Sequence, residues 1–393
     1  MVILLNPFMS RLKRENPFVP NQPAVGAHFV GREHELQKIR EEIHQQHFLL
    51  FGPRRIGKTS LLYQLKDELE GSAVPIYLSL QKFAKPDGAS LFDEVISEVI
   101  KELAGRNGVS APALPSSSDS MEAIKNYLQD QRLVLLIDEM DVGLTVDNFA
   151  AFLERMRAML QQTAYIRIIF SSGPFITRAL VDPQSPLFNM VSQIPLGRFA
   201  PEAAEKLLRL AEDQDISFEK EALNECLAWT GGLPLYLQIM GDRFYQTLKD
   251  EEISHRRVTP QLVAQAKQIM ASDVVEWERL WNTLNPLEKA VLALCAHQTG
   301  SLDVHGTKKS IEYLLNRKFS FVQVKTSLSK LVWHGVLNKK NDGTYSLTAA
   351  LVQNWLTNQL YYPEEIQDLF YSANDIERST ESASQLFQPH STR

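Results

Sequence analysis

The apolar run His47-Phe48-Leu49-Leu50-Phe51 leads without a break into Gly52-Pro53-Arg54-Arg55-Ile56-Gly57-Lys58-Thr59. Ser60 to Leu69 then continues with apolar residues at helical spacing. A strand, a complete G-x-x-x-x-G-K-[ST] turn and an amphipathic helix, in that order, constrain the fold more than any other feature of the chain. The glycines let backbone N–H groups turn inward around phosphate oxygens, and the helix N-terminus adds the positive end of its dipole. Lys58 is expected to give a point charge to the β and γ phosphates, and the Thr59 hydroxyl to ligate magnesium. Gly52, Pro53, Arg54, Arg55, Ile56, Gly57, Lys58, Thr59 and Ser60 are therefore the expected nucleotide-binding residues.

The residues around this turn repeat its alternation of strand and helix. Val74–Leu80 reads as a second strand, and Leu91–Leu103 as a helix. Leu133-Val134-Leu135-Leu136-Ile137 reads as a fully buried strand, Phe149–Leu160 as a helix, Ile166–Phe170 as a fourth strand, and Val191–Leu196 as a fifth. Strands apolar on both faces, separated by helices, predict a parallel sheet covered on both sides. The third strand ends in Asp138-Glu139. An acid at the C-terminal end of a buried parallel strand lies at the edge where α/β ligands bind. Asp138 is expected to hold magnesium, directly or through water, and Glu139 to polarise the attacking water. Asp141 is a weaker candidate, since it also reads as an acidic helix start. The fourth strand ends in Ser171-Ser172-Gly173, whose hydroxyls are placed to sense a γ-phosphate or orient water, although serine after a strand is also ordinary turn chemistry.

Beyond residue 200 the pattern becomes helical, through Ala203–Ala211, Ala222–Trp229, Leu235–Thr247 and Pro260–Met270. From Trp281 come helices near Pro286–Ala296, Thr307–Leu315 and Phe321–Trp333. Two short strands follow, 336–338 and 345–347, joined by Lys339-Lys340-Asn341-Asp342-Gly343 with its Asp-Gly hairpin signal. Three helices closed by a hairpin predict a winged helix. The expected organisation is an extended arm at 1–28, an ATPase domain at 29–200, a helical lid at 201–275, a winged-helix domain at 276–362, and a disordered Ser-rich, acidic tail at 363–393. The arm carries Asn-Pro-Phe twice, at residues 6–8 and 16–18. Each phenylalanine projects from extended chain, to be packed on the arm's own domain or docked on a neighbouring subunit or protein partner. Cys226 and Cys295 are the two cysteines and sit in apolar helical patterns, which points to buried reduced thiols. The apolar Met1–Leu5 stops at Asn6-Pro7, and no later run approaches the ~20 apolar residues of a membrane span. A cytoplasmic location is expected.

Phe29-Val30-Gly31-Arg32-Glu33, the Gly-Pro-Arg-Arg-Ile-Gly-Lys-Thr loop, Asp138-Glu139, Ser171-Ser172-Gly173 and Gly231-Gly232-Leu233-Pro234 together resemble the archaeal-type ATPases. That group lies between the AAA+ proteins and the signal-transducing STAND NTPases, and the resemblance covers roughly residues 16 to 362. It implies an α/β, ASCE/AAA+-like P-loop domain with an additional strand between the phosphate-loop strand and the Asp-Glu strand. By the same resemblance Val30 and Gly31 flank the adenine of ATP or ADP, and Pro234 closes over the base or sugar. The sequence departs from many AAA+ proteins in carrying Gly-Gly-Leu-Pro where a lid arginine stands, with Arg243 only on the next helix. None of Arg155, Arg157, Arg167 and Arg178 is singled out as an arginine finger.

Residues 281–362 hold nine basic and four acidic side chains inside a chain of net charge -6. Lys325 and Lys330 fall on the helix that a winged helix lays in a major groove, and Lys339 and Lys340 fall on the wing. One reading is thus a DNA-associated regulatory ATPase that contacts duplex through these four lysines. The other is a STAND-like switch that binds a protein partner with little or no turnover.

Overall fold

The computed structural model describes residues 15–83, 87–111, 117–271, 275–297 and 300–358. The first Asn-Pro-Phe, the expected tail at 363–393 and the centre of the loop at 107–119 lie outside the described residues. Within them the chain forms two compact units. One holds residues 32–197, 275–348 and 352–358; the other holds 15–31, 198–271 and 349–351.

The first unit is built on five strands: β1 (His47–Phe51), β2 (Val74–Ser79), β3 (Leu133–Asp138), β4 (Ile166–Ser172) and β5 (Val191–Pro195). All pair in parallel, in the order β2-β3-β4-β1-β5. The extra strand expected between the phosphate-loop strand and the Asp-Glu strand is β4. β3 is buried at all six positions, as its unbroken apolar run requires of a strand covered on both faces. Helices α1 (Glu33–Glu42), α2 (Lys58–Leu69), α3 (Gly88–Arg106), α4 (Ser117–Leu128), α5 (Phe149–Gln162) and α6 (Pro174–Val181) make the connections. The core between sheet and helices joins Ile76, Leu78, Leu135, Ile137 and Phe170 to Leu91, Val95, Val99, Phe152 and Met156.

His47 opens β1, and its Nδ1 accepts a hydrogen bond from Ile168 N at 3.3 Å, a role that needs the neutral ring. Burial, assisted by the Arg167 charge, pushes its pKa down to about 4. An unfolded histidine binds a proton near pH ~6.5. The neutral ring's stabilisation is therefore present above that pH and is lost as the pH falls toward about 4. The melting temperature of His47→Asn should consequently drop less between pH 7 and 5 than that of the wild type; parallel drops would show that His47 does not couple folding to protons.

The second unit contains α7 (Pro201–Leu208), α8 (Lys220–Thr230), α9 (Pro234–Leu248) and α10 (Pro260–Ala271). It is not wholly helical, because β6 (Ser217–Phe218) and β7 (Arg257–Val258) pair in parallel. The second Asn-Pro-Phe belongs here. Phe18 is buried against Gly241 of α9, Asn16 Nδ2 donates to Asp242 at 2.6 Å, and Val19 N donates to Gln238 at 2.8 Å. Of the two readings of the arm, packing on its own unit is the one seen at residues 16–18, where the unit covers its apolar anchor.

The remaining segment of the first unit begins with α11 (Val275–Thr283), which the sequence pattern did not reveal. It continues through α12 (Pro286–His297), α13 (Val304–Leu315), α14 (Phe321–Trp333), the antiparallel pair β8 (Leu337–Lys339) and β9 (Tyr345–Leu347), and then α15 (Ala350–Asn358), which belongs to this unit from residue 352 on. Caps fix the starts of these helices: Ser320 and Gln323 form a capping box on α14, and Asp303 accepts from Gly306 N on α13. Cys226 and Cys295 are buried free thiols, pushed up to about 12 by burial. Among the described residues no helix is long and apolar enough to cross a membrane.

Candidate active site

The turn after β1 owes its path to backbone geometry. A Cβ on Gly52 would stand 2.2 Å from the Leu196 carbonyl oxygen beyond β5, so only glycine fits there. Arg55 and Gly57 both adopt left-handed φ, 59° and 97°. Alternation of this kind turns successive N–H groups to one side, and Gly57 hands the chain directly to α2. An added Cβ at Gly57 would meet nothing within 4 Å, so there is open space beside the turn where α2 begins. Open space, inward amides and a helix N-terminus fit a phosphate chain.

Lys58 Nζ donates to the carbonyls of Gly52 (3.0 Å) and Pro53 (2.9 Å). Burial pushes its pKa down, while Asp141, Glu139 and Asp138 pull it back up. The acid at its centre, Asp138, is 1% exposed and is surrounded by donors. Thr59 Oγ1 (2.7 Å) and the Tyr77 hydroxyl (2.9 Å) donate to one carboxylate oxygen. The backbone N–H of Glu139 (2.9 Å) and the Ser171 hydroxyl donate to the other. The sheet explains this meeting: β4 runs between β1 and β3, with Ser171 level with Leu50 and Phe170 level with Ile137.

Glu139 is held at φ 61°, an uncommon conformation for a non-glycine residue, which turns the chain off β3. Burial first, and the Asp138 charge second, push its pKa up, with the Lys58 charge opposing. Asp141 accepts from Gly173 N at 2.6 Å through one carboxylate oxygen, at the start of α6, and its charge also acts on Lys58. The two serines diverge. Ser171 joins Asp138, whereas Ser172 shares a 2.7 Å hydrogen bond with Thr177, as alternation along a strand dictates.

Two participants were not assigned roles by sequence reasoning. Tyr77 is flanked by the apolar Ile76 and Leu78 in β2, and Tyr63, one turn after Thr59, carries its ring at a centroid distance of 4.5 Å. Arg32, 5% exposed, donates to the Ile56 carbonyl of the loop at 3.1 Å, to the Gly197 carbonyl, and to Glu35 at 3.1 Å. Near the same loop, Trp333 lies 6.1 Å from the ring of Phe51, and Gly335 lies against Pro53. Val30, Gly31 and Pro234 belong to the other unit, where Gly31 sits beside Phe199 and Ala203 and Pro234 opens α9. Three of the four arginines have structural partners. Arg155 pairs with Asp93, Arg157 donates to the Pro186 carbonyl, and Arg167 donates to the His44 carbonyl.

Residues 29–240, just over half of the chain, match the model of a family described as an ATPase domain predominantly from Archaea. The chain belongs to this family of ATPases. The ATPase is also similar to a solved structure, the Walker-type ATPase PABY2304 of Pyrococcus abyssi. The two are 15% identical with a TM-score of 0.66, over 87% of this chain and 99% of that one. At this identity the likeness speaks for the fold alone. Looser likenesses connect the ATPase to the Aeropyrum pernix ORC1 protein solved in complex with DNA (16% identity, 84% and 93% covered, TM-score 0.46). The Thermotoga maritima RuvB Holliday junction branch migration motor is another (15% identity, 82% and 94% covered, TM-score 0.45). Among curated proteins, none matches the sequence.

Proposed function

We propose that this ATPase is a magnesium-dependent switch that turns over ATP at the loop following β1 and acts on duplex DNA through its C-terminal segment, read as a winged helix. The observation that carries the nucleotide part is the Asp138 carboxylate, which ties Thr59 of the phosphate loop to Ser171 of β4 and stands beside Glu139. Lys58 and the loop amides from Arg54 to Ser60 would hold the phosphates, since Pro53 has no N–H and that of Gly52 donates to the Ser172 carbonyl, and Thr59 would hold the cation together with Asp138, directly or through a bridging group. Bound magnesium supplies positive charge against the β and γ phosphates. Glu139 orients the water and takes its proton, and Ser171 holds Asp138 in place. Loss of the γ-phosphate contacts switches the molecule between states.

The DNA part is carried by the basic surface of α14 and the hairpin, but with fewer lysines than the sequence suggests. Lys330 forms an ion pair of 2.9 Å with Glu288, whose side chain is buried and also caps α12 through Asn285. Lys330 is therefore assigned to holding α14 on α12. Lys325, Lys339 and Lys340 remain for phosphate contact, although Lys340 also donates to Ser301 at 2.5 Å. A second reading, a protein-binding switch, is favoured by the exposed apolar residues of α14: Val322 at 69%, Trp333 at 40% and Phe321 at 39%.

Duplex binding measured against salt separates the two. Each neutralised phosphate lowers log affinity by about 0.9 per unit of log salt. Three lysines predict a slope near ~-2.7, flattened by changing Lys325, Lys339 and Lys340 together to alanine, while Lys330→Ala lowers the melting temperature instead. Negligible duplex binding at moderate salt would remove DNA as the partner and leave the protein-binding switch.

A further inference from the structure

We propose that Tyr77 is a positioning residue of the ATPase reaction, whose hydroxyl occupies Asp138 so that this acid acts on the cation through Thr59 rather than by direct contact. The inference rests on the reading of Thr59 and Asp138 as the cation site. A carboxylate offers about four lone-pair sites. Here one oxygen receives Thr59 and Tyr77, and the other receives Ser171 and the Glu139 amide. With Asp138 1% exposed, protein donors account for all four.

The consequence falls on Thr59. Its proton is spent on Asp138, which would leave the lone pairs of its oxygen for a cation. Tyr77 is what makes this arrangement exclusive. Without its hydroxyl, the oxygen that faces Thr59 would have a site left for a metal ion. The phenol is also held in position. Its ring lies on Tyr63 of the phosphate-loop helix, and the β2–β3 register sets Ser79 level with Asp138, so that Tyr77, two residues earlier on the same face, reaches forward to the carboxylate.

Tyr77→Phe tests this, since it keeps the ring on Tyr63 and removes only the donor. The probes are Mn2+ and ADP. The variant is expected to bind ADP without metal as the wild type does. In the ADP complex it should hold Mn2+ about tenfold more tightly, within the range over which outer partners of a metal site act. Electron paramagnetic resonance of that Mn2+ in 17O-enriched water should count one water ligand fewer than in the wild type, because the freed carboxylate oxygen replaces it. Should Tyr77→Phe fail to fold, Tyr63→Leu frees the phenol to swing away and is expected to shift Mn2+ binding in the same direction. An unchanged water count with Mn2+ affinity within about twofold of wild type would reduce Tyr77 to packing and overturn the inference. A wild type that binds ADP with no response to Mn2+ would instead remove the cation site, and with it the basis of this role.

Discussion

Glu139→Gln is expected to leave ATP bound while turnover falls by about two to four orders of magnitude, the usual contribution of a positioned general base. The substitution keeps shape and one hydrogen-bonding oxygen but removes the charge that orients water and accepts its proton. Glu139 suits that role because its backbone is turned to φ 61° at the very end of β3, beside Lys58 and Asp138. Its raised pKa also predicts a pH profile. The ionised form is the active one, so activity should fall on acidification at a pH above the ordinary ~4.3 of a glutamate. Glu139→Gln should lack that limb. Phosphate release and nucleotide affinity, measured side by side, decide the matter. Turnover within about threefold of wild type would move the role elsewhere, with Asp141, whose charge acts on Lys58, next in line.

Lys58→Ala should abolish stabilisation by nucleotide. A ligand at ~100 times its dissociation constant adds about 2.7 kcal/mol to the folded state. For a unit of this size that corresponds to a rise of roughly 5–10 °C in melting temperature. Lys58 also donates to the Gly52 and Pro53 carbonyls, so the variant is expected to start from a slightly lower melting temperature. The ligand-induced difference is therefore the quantity to compare. An equal rise in variant and wild type would place the nucleotide away from this loop.

The parts of the site written in contiguous residues were legible in the sequence. Gly52–Thr59 and Asp138-Glu139 each combine an apolar strand with polar residues at its end, so period and chemistry point the same way. Tyr77 and Arg32 were not assigned, because their roles depend on partners distant in sequence: Tyr77 reaches Asp138 across 61 positions, and Arg32 reaches Gly197 across 165. Strand alternation separated Ser171 from Ser172, yet which one faced Asp138 depended on the register of β4 against β1 and β3. Lys330 looked like its exposed neighbours until the fold brought Glu288 beneath it. Helix α11 escaped because four aromatic or aliphatic anchors within only nine residues make too short a pattern to mark a helix.

The insertion of β4 between β1 and β3 bears on how the protein is born. A growing chain emerging from the ribosome makes β1, its loop and β3 well before Ile166–Ser172 exists, and in the finished sheet β1 and β3 are not neighbours. Nothing translated up to residue 165 can bring Thr59 and Asp138 into the register that β4 imposes. Nucleotide would therefore find no assembled Thr59–Asp138 pair to template before β4 is made, and any strands already formed would carry unpaired edges, the kind of surface that aggregates or is held by chaperones.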